Sequence, residues 1–251
     1  MIIDTHMHIF DNRYQGIVDE VIAEAKANNV QLMIAVGYDY ESSLKAIALA
    51  HKYDCIYASV GLHPSEVLKE KDKTLQWLEK LLQAKKVVAI GEIGLDYYWD
   101  KSFKEEQKEI FIKQILIAKA HNLPVIVHNR DATQDCFKIL QENLTPGVMH
   151  CYSSSVEMAR EFTKLGYYLG IGGVVTFKNS KEIKEVVKDI DLKYLLSETD
   201  SPYLAPMPYR GKINRPAYTK YVVEEIAKIK DQEIIDIEKQ LALNAQNLFK
   251  F

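Results

Sequence analysis

The chain has 251 residues, of which 47% are apolar and 27% charged, and it carries a net charge of −3. That is enough apolar material for a sizeable core, and it excludes disorder, collagen and coiled coil as descriptions of the whole chain. The small negative charge also excludes a polyanion binder held by bulk charge, so any nucleic-acid contact has to come from a local patch.

Short β-branched runs alternate with helical patterns along the chain. Met1–Ile9 predicts a first strand and Gly16–Asn29 a first helix, with Ile17, Val21, Ala25 and Asn28 at helical spacing. Val30–Gly37 with Glu41–His51, Ile56–Leu62 with Thr74–Leu82, and Val87–Ile93 with Phe103–His121 follow as strand-helix pairs. Pro124–His128 with Asp131–Leu140, Gly147–Tyr152 with Ser155–Leu165, Tyr167–Val175 with Lys181–Ile190, and Tyr194–Asp200 with Ala217–Lys228 complete eight units. A further helix, Asp231–Asn247, closes the chain. The strands are mostly continuous apolar runs, as parallel strands covered on both faces require.

Eight such units at roughly 31 residues each predict an α/β fold, a (β/α)8 TIM barrel with an extra C-terminal helix, in a single domain over residues 1–251. Ser201–Pro216 is rich in proline and is expected to be a long ordered loop, because too few residues follow it for a second domain. A doubly wound open sheet is the alternative fold, but neither G-x-G-x-x-G nor G-x-x-x-x-G-K-[ST] occurs. Cys55, Cys136 and Cys151 contain no Cys-x-x-Cys pair and read as reduced thiols of a cytoplasmic protein. The first residues lack the apolar stretch of a signal peptide, and no apolar run approaches the roughly 18 residues of a membrane helix, so no membrane association is expected.

Barrel sites lie at the C-terminal ends of the strands. Five of the seven histidines fall there: His6 and His8 on strand one, His63 after strand three, His128 on strand five and His150 on strand six. Glu92 lies on strand four, and Glu198 and Asp200 on strand eight. Residues i and i+2 of a strand share a face, so His6 and His8, His128 and Arg130, and Glu198 and Asp200 are expected to point together. Any one of these has a plainer reading: Glu92 as an ion-pair partner, Asp200 as a turn residue, each histidine as a satisfied core residue. Jointly they make a ligand set for zinc, manganese, iron or nickel, or for magnesium with water. Four histidines (His6, His8, His128, His150) with Glu92 and Asp200 exceed what one tetrahedral ion needs, so two divalent ions bridged by Glu92 are expected. Cys151 is expected to face the opposite side, into the core, and Glu198 to orient a ligand from behind.

The successive motifs Asp4-Thr5-His6-Met7-His8, Gly61-Leu62-His63-Pro64, Gly91-Glu92-Ile93-Gly94-Leu95-Asp96-Tyr97, Pro124-Val125-Ile126-Val127-His128-Asn129-Arg130, His150-Cys151-Tyr152-Ser153 and Glu198-Thr199-Asp200-Ser201-Pro202-Tyr203-Leu204 resemble those of the TatD-related metal-dependent deoxyribonucleases. They stand in family order and span nearly the whole chain. The resemblance implies a metallo-dependent hydrolase barrel with His6, His8, Glu92, His128, His150 and Asp200 as metal ligands. Two places depart from the family pattern. Ser153-Ser154-Ser155 stands where a glycine usually follows the strand-six motif, and Lys212-Ile213-Asn214-Arg215-Pro216 carries its arginine two places later.

Two divalent ions, less two carboxylates and a bridging hydroxide, leave a positive charge that favours a phosphate ester. Arg13, Arg130, Arg210 and Arg215 follow strands one, five or eight, where they suit phosphate, and aromatic residues follow strands four, six, seven and eight on the same face. The expected function is hydrolysis of DNA phosphodiester bonds, as an exonuclease, by a two-metal activated water. Asp200 and Glu92 are the expected catalytic residues, and His63 and Arg130 the substrate contacts. Zinc, magnesium and manganese stand as the candidate ions, DNA as the substrate, and no obligate protein partner is evident. A metal-dependent amide or ester hydrolase of a small molecule and a non-catalytic metal-binding barrel are the alternatives.

Overall fold

The computed structural model describes residues 1–70 and 73–251. Eight parallel strands lie in chain order: β1 (Ile2–Met7), β2 (Val30–Val36), β3 (Ile56–Val60), β4 (Val87–Asp96), β5 (Val125–Arg130), β6 (Gly147–Met149), β7 (Tyr168–Ile171) and β8 (Leu195–Ser197). The helices between them are α1 (Val18–Ala27), α2 (Tyr40–Lys52), α3 (Gln76–Leu81), α4 (Lys104–His121), α5 (Thr133–Glu142), α6 (Val156–Lys164), α7 (Lys181–Asp189) and α8 (Thr219–Lys230), and α9 (Ile234–Phe249) follows them. This is the (β/α)8 barrel with its extra C-terminal helix.

Local sequence accounts for the boundaries. Asp39 opens α2 by accepting from the Ser42 backbone N–H at 2.7 Å, and Ser155 opens α6 by accepting from that of Met158 at 3.4 Å. Several expected boundaries move: the sixth and eighth strands end early, at Met149 and Ser197, and two further changes bear on the site. β4 continues past Ile93 to Asp96, because Ile93 to Asp96 pair in register with Val127 to Arg130 of β5. The expected seventh strand stops at Ile171, and Gly173–Thr176 turns as a short 3-10 helix.

The barrel closes beside the site. His8 N–H donates to Ser201 O at 2.7 Å and Asp200 N–H donates to His6 O at 2.9 Å, which brings the end of β1 against the segment after β8. At the opposite mouth, Ala242, Ala245, Leu248 and Phe249 of α9 pack against Ile34, Ile126, Val148 and Leu196. Asn244 fixes this helix by donating to the carbonyls of Leu192 and Leu195, both at 2.8 Å. The lumen is therefore apolar at its floor and polar at its top. Strand parity sets the change on β5, where Ile126 precedes His128 on one face.

The stretch Ser201–Pro216 is an ordered loop. Buried Asn214 donates to Thr199 O at 2.9 Å and to Tyr203 O at 2.7 Å, and its own carbonyl accepts from the Tyr14 hydroxyl. Among the described residues no helix is long and apolar enough to cross a membrane.

Candidate metal centre

Glu92 is the centre of the cluster. Its Oε2 lies 3.5 Å from His6 Nε2 and 3.8 Å from His8 Nε2. Its Oε1 lies 2.8 Å from His128 Nδ1, and 3.6 Å from both His150 Nε2 and His63 Nε2. Asp200 Oδ1 faces the first group, 3.4 Å from His8 Nε2 and 3.9 Å from His6 Nε2. The structure thus brings together the six residues read from the sequence as ligands, with His63 beside them; all but the fully buried His6 line a cavity of about 270 Å³.

Close backbone approach makes room for this. A Cβ at Gly94, whose φ is +142°, would sit on the His128 carbonyl oxygen, so only glycine lets β4 run against β5 here. A Cβ at Gly170 would overlap Glu198 Oε2.

Hydrogen bonds decide which nitrogen of each ring is free. His8 Nδ1 lies 2.8 Å from Val36 O, and a carbonyl only accepts, so Nδ1 carries the proton and Nε2 keeps its lone pair toward the cluster. His150 Nδ1 lies in an ion-pair contact 3.0 Å from Glu198 Oε1, with Nε2 on the side facing Glu92. His128 Nε2 lies 3.1 Å from Asp96 Oδ2, leaving Nδ1 for Glu92. Rings backed in this way by a carbonyl or carboxylate are the usual construction of a metal site. His63 is built the other way round. Its Nδ1 accepts the Ser65 backbone N–H at 3.1 Å, so Nε2 carries the proton and points a donor at the cluster. The ring therefore offers no lone pair there, which sets it apart from His8, His128 and His150.

The electrostatics favour positive charge. Burial would raise the Glu92 carboxyl, but His63 and His150 lead a ring of histidines that holds it well below the usual range. The Asp200 carboxyl is likewise lowered against burial, chiefly by His8. Burial opposes charge on His8 and His128, yet Asp200 raises the first and Asp96 and Glu92 raise the second. His150 rises to about 10 against burial, through Glu198 and Glu92. Burial lowers His6, helped by His150, and pushes His63 down to about 3. The carboxylates that raise these rings would equally favour a divalent cation in their midst.

The structure adds residues that strand reading missed. Asp96 backs His128, and its parity with Glu92 was the available signal, hidden because the strand was expected to end at Ile93. Buried Asp4 accepts from the Thr199 hydroxyl at 2.6 Å, from Thr199 N–H at 3.0 Å and from His6 N–H at 3.3 Å. It ties β1 to the segment that carries Asp200, and burial raises its carboxyl to about 8. Cys151 corrects an expectation. It does not turn into the core; a donor set of His150, Cys151 and Asp200 lies within 4.8 Å. β6 has already ended, and a φ of +45° at Cys151 breaks the alternation used to place it.

Other expected contacts fall elsewhere. Glu198 stands behind His150 and also accepts the Cys151 N–H at 2.7 Å. Arg130 does not line the cavity of the cluster. Its guanidinium lies 3.8 Å from the Tyr98 ring centroid and lines the adjoining cavity over β4, β5 and β6. Arg215 turns away from this face and pairs with Glu24 at 2.6 Å.

A (β/α)8 barrel with histidines and carboxylates gathered at the C-terminal ends of its strands defines the class: a metal-dependent hydrolase. The family model for TatD related DNase matches residues 3–250. The chain is 47% identical to the metal-dependent hydrolase YabD of Bacillus subtilis over 253 residues, covering 100% of this chain and 99% of that protein. It is 37% identical to the metal-dependent hydrolase YcfH of Escherichia coli over 255 residues, covering 99% of this chain and 95% of that protein. The crystal structure of YjjV, a TatD homolog from Escherichia coli, superposes with a TM-score of 0.95 at 31% identity, covering 100% of this chain and 98% of the other. The protein belongs to the TatD-related DNase family.

Proposed function

We propose that the protein is a phosphodiesterase that uses two divalent ions to cleave DNA, acting from a strand end. The observation that carries this reading is the placement of Glu92, whose two carboxylate oxygens each face a separate group of histidine nitrogens. One ion would be held by His6, His8, Asp200 and Glu92 Oε2, the other by His128, His150 and Glu92 Oε1. The mixed imidazole and carboxylate donors suit zinc or manganese, and magnesium where water completes the shell. Bound there, paired divalent ions acidify a water and offset charge on the attacking and leaving oxygens of a phosphodiester.

The chain's own groups supply the rest. Asp200, kept ionised by His8, orients the attacking water and accepts its proton. His63 donates its Nε2 proton to a phosphate oxygen, and Arg130, at the end of β5, adds a permanent charge. The family's description as DNases supports DNA as the substrate. So does the rim, where Arg210 lies over Phe177 at 4.5 Å, while Arg13, over Tyr203 at 4.4 Å, is already paired with Asp11. Arg210 there offers charge to a phosphate, and the far ring face is left for a base. The free thiols of Cys55, Cys136 and Cys151 fit a reducing compartment such as the cytoplasm.

The test is digestion of single-stranded DNA, double-stranded DNA and RNA by protein reconstituted with each metal, with product lengths resolved. Release of mononucleotides from DNA is expected. Failure on every DNA with every metal, alongside turnover of a small amide or ester, would replace the reading.

A further inference from the structure

A second cavity, of about 500 Å³, adjoins the one that holds the cluster. Its walls come from the same strand ends. Tyr98 lies two residues beyond Asp96, Asn129 and Arg130 directly follow His128, and Ser154 lies four beyond His150. It is nearly twice the cluster's cavity, and its size falls in the range of small-molecule sites, about 300–1,000 Å³.

The wall chemistry fits a heterocycle better than a second anion. Asn129 Nδ2 donates to Thr133 Oγ1 at 3.0 Å and to Ser154 Oγ at 3.3 Å, and these two hydroxyls lie 2.9 Å apart. The two hydroxyls share one hydrogen bond, which uses one of their two protons and leaves the other unspent. Asn129 Oδ1 is buried without a partner. The network therefore holds one hydroxyl proton and one buried amide acceptor in reserve, polar groups of the kind a base edge pairs with. On the flank, Arg130 stacks on Tyr98 at 3.8 Å and lies 5.4 Å from the Trp99 ring. Tyr98 and Trp99 are 51% and 75% exposed, so the ring surface that Arg130 does not cover is open to a ligand.

We propose that this cavity seats the base of the nucleotide adjoining the scissile phosphate, with Asn129, Thr133 and Ser154 facing its edge and the Arg130–Tyr98 stack flanking its face. The proposal rests on the phosphodiesterase reading and adds a recognition site to it. Ser154 belongs to the serine run that departs from the family pattern, so base preference set here is this chain's own.

The test compares two substrates with one leaving group: thymidine 5′-(p-nitrophenyl phosphate) and methyl p-nitrophenyl phosphate. The readout is the ratio of their kcat/KM values. Ser154→Tyr fills the cavity and should lower the ratio at least tenfold. Gln134→Trp fills it from α5, should do the same, and serves if the first variant does not fold. A ratio in the folded variants equal to that of the unsubstituted protein would overturn the proposal while leaving the phosphodiesterase reading standing. No hydrolysis of either substrate by the unsubstituted protein with any divalent metal would overturn both.

Discussion

His150 Nδ1 stands 3.0 Å from Glu198 Oε1, on the side of the ring away from Glu92. The carboxylate thereby fixes the tautomer and aims Nε2 at the cluster. Glu198 is itself held by the Cys151 N–H and seated against Gly170. Losing such a partner typically costs a metal site about 10–100-fold in affinity. Glu198→Gln should therefore weaken metal binding by that order, read by titration of the stripped protein, with the circular dichroism spectrum unchanged. Gly170→Ala should give a loss of the same sign by displacing the carboxylate. Unaltered affinity in both variants would remove Glu198 from the site.

Asp200 is expected to act on the water more than on the substrate. Asp200→Asn should lower DNA turnover by at least about two decades, while the dissociation constant for DNA moves several-fold at most. Turnover by stopped assay and binding by fluorescence anisotropy separate the two. Equal losses would make Asp200 a structural residue.

Arg130 offers a permanent charge at the mouth of the second cavity. Arg130→Ala should weaken DNA cleavage by about one to two decades at constant metal content. The slope of log affinity against log salt should also fall by about one, as loss of a single phosphate contact requires. Cleavage and slope both unchanged would confine the side chain to its stack on Tyr98.

The helix α9 closes the floor of the barrel, and Leu248 is buried there against the lumen residues. Leu248→Ala leaves a cavity at a cost of about 2–5 kcal/mol, which should lower the thermal midpoint clearly. An unchanged midpoint would mean that α9 does not support the barrel.

The barrel was legible because parallel strands covered on both faces leave continuous apolar runs, and the site because its residues sit at corresponding ends of those runs. The parity rule worked where a strand persists, as for His128 on β5. It failed at Cys151, where β6 has ended and the backbone takes a positive φ. Asp96 escaped notice because β4 runs on through Gly94, whose missing Cβ permits pairing that strand propensity argues against. The donor role of His63 depends on the Ser65 N–H beside its ring, and Arg215 is drawn off by Glu24; both are set by local geometry and tertiary packing.

The central claim is that two cations share Glu92. Equilibrium dialysis of metal-stripped protein against manganese or zinc, with the bound metal counted per chain, tests it most directly. The account predicts two ions per chain for the natural sequence and at most one for Glu92→Gln, since each carboxylate oxygen serves its own group of histidines. A single ion in the natural protein, or two retained by Glu92→Gln, would contradict it.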